Sequence, residues 1–72
     1  PASDVTKNKE IITGIQGRLR NLGFYRSDIT GNLDEITKAA IRKFQEIVLL
    51  NSNPDGEPDQ RTRDAIEKEH GS

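Results

Sequence analysis

Apolar positions along the chain fall into three helical stripes separated by two polar, turn-rich stretches. In Gly31 to Gln45, GNLDEITKAAIRKFQ, the residues Ile36, Ala40 and Phe44 recur at helical spacing, and Ile41 and Val48 widen the stripe. Lys38, Arg42 and Lys43 lie opposite and read as a solvated face. Asp34 stands at the start as an N-cap, its carboxylate placed to accept from first-turn N–H groups, and the Thr37 hydroxyl can reach back to it. A helix is therefore predicted from Asp34 to about Val48. Leu49 and Leu50 should dock on the core, and Asn51 should supply the left-handed stop. A weaker copy returns as GEPDQRTRDAI, Gly56 to Ile66, in which Gly31, Asp34, Thr37, Ala40 and Ile41 find counterparts in Gly56, Asp59, Thr62, Ala65 and Ile66. Asp59 thus caps a third helix running to about Lys68, with a thin apolar face of Ala65 and Ile66. His70, Gly71 and Ser72 are expected to fray.

The first helix has two readings. Asn8 can cap a helix from Lys9, which places Ile12, Ile15, Leu19 and Leu22 on one face. Alternatively Thr13 and Gln16 form a T-x-x-Q capping box and the helix begins at Gly14. The longer helix is preferred because it uses Ile12. Gly23 reads as the residue after the helix end, with Phe24 closing the Schellman contact. Pro1 to Asn8 is polar and without periodicity, and is expected to be a disordered tail or the end of a linker, leaving residues 9–70 as the domain.

Between the helices, Phe24 to Leu33 is a loop rich in turn formers, with Gly31 expected at positive φ or where a second segment approaches closely. Asn51 to Pro58, NSNPDGEP, is a second such loop with a tight turn at Pro54-Asp55-Gly56. No alternating β pattern is present. The expected fold is all-α: a small three-helix domain with two long turn-rich loops and an internal pseudo-repeat of Gly31–Ile41 and Gly56–Ile66.

Composition narrows the function classes. The chain has 72 residues, 31% of them hydrophobic and 32% charged, and no cysteine, so neither a disulfide nor a thiolate metal site can support so small a core. Eleven basic and twelve acidic residues are interspersed to a net charge of −1, which gives no drive toward nucleic acid or an anionic membrane. Neither the second nor the third helix carries a basic stripe clear of acids, against a DNA-reading three-helix domain. No apolar run approaches a membrane span, and no signal peptide is visible; if the parent protein is secreted, this piece is expected to have been cut from it. No cofactor and no metal site are expected.

The ordered set Ile12, Ile15-Gln16, Leu19, Leu22-Gly23-Phe24-Tyr25, then Ile29-Thr30-Gly31, Leu33-Asp34, Thr37, Ala40-Ile41, Phe44-Gln45, then Leu49-Leu50, Asp55-Gly56, Asp59 and Thr62 resembles the peptidoglycan-binding-like domain family. The departures are Thr30 for the aspartate of the first Asp-Gly pair, Asp34 and Asp59 for glycines, and Leu49 for the glycine that ends the second helix. Thr30 to Thr37 also resembles the prodomain of matrix metalloproteases, which has the same fold and inhibits by supplying a cysteine to zinc; this chain has no cysteine. The resemblance implies a three-helix, non-catalytic module that binds the bacterial cell wall and targets a larger protein to it, in the periplasm, at the wall or outside the cell. The partner it implies is peptidoglycan, through glycan or stem peptide, with a catalytic domain of the parent protein as a further one, and the module is expected to be a monomer. The alternative is a protein-interaction or inhibitory prodomain-like module.

Candidate site residues follow from that implication. A groove between the second helix and the two loops would bring together Tyr25, to stack on a sugar, Asp28 and Asn32, to pair with amines and amides, Asp55, and Arg61 and Arg63, to hold a stem-peptide carboxylate. Tyr25 has an equal claim as a core residue with its hydroxyl at the surface. Gln45, off the apolar stripe, is expected to bond to loop backbone. Asp28, Asp34 and Glu35 do not make a catalytic set: glycoside hydrolysis needs two carboxyls flanking a deep cleft, and Asp34 is accounted for as a cap. His70 has no partner ligands in the sequence and reads as solvated.

Overall fold

Cap chemistry marks most helix ends of the computed structural model, which describes residues 2–71, with side chains from Asn8 onward. Helix α1 runs Ala2–Asn21, α2 Glu35–Ile47 and α3 Gln60–His70, with no strand among the described residues. Asp34 caps α2 and Asp59 caps α3, each in extended backbone, accepting from the N–H of Thr37 and Thr62. Helix α1 ends as the glycine requires. Gly23 lies at φ 89, its N–H donates to the Arg20 carbonyl at 3.1 Å, and the Phe24 N–H donates to the Leu19 carbonyl at 2.8 Å. That is the Schellman pair.

The start of α1 differs from the expectation. Its backbone is helical from Ala2, so Asn8 lies inside the helix and caps nothing. Extending a formed helix fixes few further dihedrals per hydrogen bond, so a polar segment can continue it. Thr13 likewise forms no capping box; its hydroxyl donates to the Lys9 carbonyl at 2.8 Å.

The three helices and the first loop meet in one core. Ile12, Ile15 and Leu19 come from α1, Ala40, Ile41 and Phe44 from α2, Ile66 from α3 and Tyr25 from the loop. Phe24 meets Phe44 edge-on, with ring centroids 5.5 Å apart at 80°, the geometry aromatic quadrupoles favour. Ile36 is a correction. It is 56% exposed, and Thr37 takes the inward position instead. One residue is a turn of about 100° on a helix, so drawing Thr37 inward toward hydrogen-bond partners turns Ile36 out.

The exit of α2 is a second correction. Leu50, not Asn51, is left-handed, at φ 53, and it is 84% exposed rather than docked. The chain reverses there so that the Asn51 N–H can return to the Gln45 carbonyl at 3.0 Å. At the far end, α3 continues to His70 and stops at Gly71, φ 85, whose N–H donates to the Glu67 carbonyl. His70 is half-buried, not solvated: its Nε2 lies 3.0 Å from Nδ2 of Asn21, tying the ends of α1 and α3 together. Ser72 lies outside the described residues.

Candidate functional site

Two buried glutamines shape the loops that border the site. Gln16 of α1 is wholly buried. Its Oε1 accepts from the backbone N–H groups of Thr30 at 3.0 Å and Gly31 at 2.9 Å. Its Nε2 shares two hydrogens among the Thr37 hydroxyl at 2.8 Å, the Asn32 carbonyl at 3.1 Å, the Thr30 hydroxyl at 3.2 Å and the Tyr25 hydroxyl at 3.3 Å. Gln45 of α2 repeats the device. Its Oε1 accepts from the Gly56 N–H at 2.9 Å, and its Nε2 reaches the Thr62 hydroxyl, the Glu57 carbonyl and Asp55 Oδ1 at 3.1 to 3.2 Å. A loop that folds inward must pair its backbone groups, and one glutamine supplies both polarities. The expectation that Gln45 bonds to loop backbone holds; Gln16 went unnoticed as its counterpart.

Each network ends on a cap. The Thr37 hydroxyl donates to Asp34 Oδ1 at 2.7 Å and the Thr37 N–H to the same oxygen at 2.9 Å. Hydrogen bonds from the Thr37 hydroxyl, then from its N–H, hold the Asp34 carboxyl below its ordinary value. Thr62 acts in the same way on Asp59, with smaller help from the charges of Arg61 and Arg63.

The loops so fixed border an open cleft of about 780 Å³. Asn8, Lys9, Ile11 and Ile12 of α1 form one wall. Gly31, Asn32 and Leu33 form the second. Glu57, Pro58 and Asp59, with Arg63 from the first turn of α3, form the third. The walls meet closely at Gly31: a Cβ there would lie 2.6 Å from Lys9 Cγ and 2.8 Å from Thr13 Oγ1, and its φ is 77. Both expectations for this glycine, positive φ and close approach, are met. Arg63 donates through Nη2 to Gln60 Oε1 at 2.9 Å, while its Nε–H is buried with no hydrogen-bond partner among the described residues.

The cleft is not where the sequence placed it. Helix α2 does not line it; α1 does. The space between α2 and the second loop is filled by backbone, since a Cβ on Gly56 would come within 3.0 Å of the Lys38 carbonyl oxygen and of Arg42 Cγ. Arg42 accordingly packs on the loop and is half-buried rather than a freely solvated charge.

Of the six residues assembled from the sequence, Asn32 and Arg63 line the cleft. Tyr25 does not and is corrected to a core residue. It is 2% exposed, and its hydroxyl donates to the Asp28 carbonyl, so the ring has no face for a sugar. Asp28 and Arg61 are exposed but lie off the cleft. Asp55 is also off it, its Oδ1 accepting from Gln45 and from the Glu57 N–H at 2.9 Å. Lys9, Leu33 and Pro58 were missed. The one signal for them was Gly31 itself, which demands that a second segment lie against the loop. No cluster of three or more metal-ligating side chains occurs among the described residues, and no described helix is long and apolar enough to cross a membrane.

A family model described as a peptidoglycan binding domain matches residues 8–66, well over half of the chain. No curated protein and no solved structure matches it significantly.

Proposed function

The chain belongs to the peptidoglycan binding domain family, and we propose that it is a non-catalytic module that holds a larger protein at the bacterial wall, with the three-walled cleft as its ligand site. One observation supports this most: all cleft-lining residues but Arg63 fall on α1 and the two loops, and all of them, Arg63 included, lie within the matched span 8–66. The cleft has the composition of a recognition surface. Ile11, Ile12, Leu33 and Pro58 give it an apolar floor, and Lys9, Asn32, Glu57 and Arg63 give it both charges and an amide. Asp59, its remaining carboxylate, is engaged as the cap of α3. Modest affinity suffices for such a role, because tethering raises the local concentration of the attached protein at the wall. The location that follows is the periplasm, the wall or the exterior.

Sedimentation with purified insoluble peptidoglycan tests the proposal, with chitin as control. Retention on the wall and not on chitin, reduced by Arg63→Gln and unchanged by Lys43→Gln, is the expected result. Absence of retention at low salt would overturn it. Exposed Ile36, Ile47 and Leu50 would then direct attention to a partner polypeptide instead.

A further inference from the structure

The wall polymer has two chemically different parts, a glycan strand and short stem peptides that carry carboxylates. Resting on the wall-binding reading above, we infer that the cleft recognises the stem peptide through a carboxylate held by Arg63, and not the glycan.

The first ground is the placement of aromatic side chains. Flat aromatic faces are the usual platform for the apolar face of a sugar ring. The chain has one tyrosine, two phenylalanines and no tryptophan. Tyr25 and Phe44 are buried, and Phe24 is packed edge-on against Phe44. None of the three lines the cleft. The only other flat ring, His70, pairs with Asn21 at the joined ends of α1 and α3 and is not in the cleft. The walls present aliphatic side chains instead, which suit the methyl groups of alanine residues.

The second ground is Arg63. Arg63 lines the cleft; its Nη2 is engaged by Gln60, and its Nε–H is buried with no hydrogen-bond partner among the described residues. A buried donor left unpaired is unfavourable, and more so on a charged group. A carboxylate is the ligand group that pairs two guanidinium N–H bonds side by side. Lys9 on the α1 wall adds a second cation, while Glu57 suits the amine of a diamino acid. Opposite charges on an apolar floor match a short peptide that carries both.

The test separates the two parts of the polymer. Insoluble wall is digested with an amidase that releases free stem peptide and leaves bare glycan strands. Isotope-labelled chain is then titrated by NMR with the released peptide, with bare glycan, and with the peptide after its carboxylates are converted to amides. Saturable shifts at Asn32, Leu33 and the Arg63 Nε–H with the peptide, and none with glycan, are expected. Amidation should weaken binding about tenfold or more, as loss of a charge-assisted hydrogen bond predicts. Arg63→Gln should do the same in a chain whose remaining spectrum is unchanged; the amidated peptide supplies that comparison if the variant does not fold. Retention on intact wall together with binding of bare glycan, or equal binding of free and amidated peptide, would overturn this inference and leave the wall-binding reading standing. Failure to bind intact wall would overturn both.

Discussion

The two loop–helix units of this domain are built on one plan and secured unequally. In each, a buried glutamine takes the N–H of a positive-φ glycine on its Oε1 and reaches a threonine hydroxyl with its Nε2; the threonine N–H then binds a capping aspartate three residues back. The first unit adds more. Gln16 also takes the Thr30 N–H and reaches the Tyr25 hydroxyl, and Tyr25 anchors the loop through the Asp28 carbonyl. The second unit has no aromatic in its loop, and it leaves its helix through a leucine at φ 53 where the first leaves through Gly23 at φ 89. Both glutamines cross between elements, Gln16 of α1 to Thr37 of α2 and Gln45 of α2 to Thr62 of α3, but Gln16 holds more of its loop. The difference ranks the units. Both contribute a wall of the cleft; the first is held by more hydrogen bonds and an aromatic anchor, while the second keeps backbone strain at Leu50.

Replacing the glutamines by leucine should produce the largest effect and test that ranking directly. Gln16→Leu strands the Thr30 and Gly31 N–H groups and takes one donor each from the Asn32 carbonyl and the Thr37 hydroxyl. A cost of about 3–5 kcal/mol is expected, most of the stability of so small a domain. Gln45→Leu strands fewer groups and should cost about 2–4 kcal/mol. Urea denaturation of both variants decides it, and a larger loss for Gln45→Leu would reverse the order.

These glutamines also mark how far the sequence could be read. The caps Asp34 and Asp59 and the stop Gly23 were legible because their chemistry is local, each acting within a few residues of itself, whereas Asn8 and Asn51 misled. The core stripe was legible where apolar period and burial coincide, as at Leu19, Ile41 and Phe44. It failed at Ile36, because the inward position went to a threonine with a distant glutamine partner, and no period records that. Gln16 sits between Ile15 and Leu19 and reads only as half of a capping box until the loop fourteen residues on is folded against it. The cleft failed for the same reason. Its walls are joined only by tertiary packing, so Gly31 signals that a segment lies against the loop but not that the segment is Lys9 of α1.

Alanine at the two glutamine-bound glycines, Gly31 and Gly56, should cost about 2–3 kcal/mol each, from the left-handed backbone together with a tight contact. The units should respond differently to a second change. At Gly31 the nearest atom is Lys9 Cγ at 2.6 Å, a side chain that can be removed; at Gly56 the Lys38 carbonyl oxygen at 3.0 Å is backbone. Lys9→Ala should therefore recover about 1 kcal/mol of the Gly31→Ala loss. Arg42→Ala should recover little of the Gly56→Ala loss. Equal recovery in the two double-mutant cycles would mean that both loops yield alike.

The caps should respond more mildly and nearly equally. Asp34→Ala and Asp59→Ala should each lower the melting temperature by a few degrees, and asparagine at either site should be tolerated. Both carboxyls are held below their ordinary value by threonine hydrogen bonds. A depressed folded-state pKa favours the folded state above the unfolded value, near 4, and that gain is lost as pH falls through the folded value. Thermal melts of parent and Asp→Asn variants across the acid range should therefore converge below about pH 4. Curves that stay parallel would exclude the cap charges as a source of acid sensitivity.

The smallest effect concerns the two helix exits and should be of opposite sign in the two units. Gly23 has open space where a Cβ would go, so Gly23→Ala meets only the cost of its left-handed backbone, about 1 kcal/mol. Leu50 already bears that cost, with its side chain 84% exposed and little packing to lose. Leu50→Gly should relieve about 1–2 kcal/mol of backbone strain and return part of it through the wider freedom of glycine in the unfolded chain, a net gain of about 0.5–1 kcal/mol. Leu50→Asn, which tolerates the left-handed region with less unfolded-state freedom, should gain at least as much. Asparagine also isolates the cause, because glycine changes backbone freedom and side chain together. A stabilised Leu50→Asn beside a destabilised Gly23→Ala would place the difference between the units in a single dihedral. A destabilised Leu50→Asn would mean that the leucine side chain itself holds the second loop.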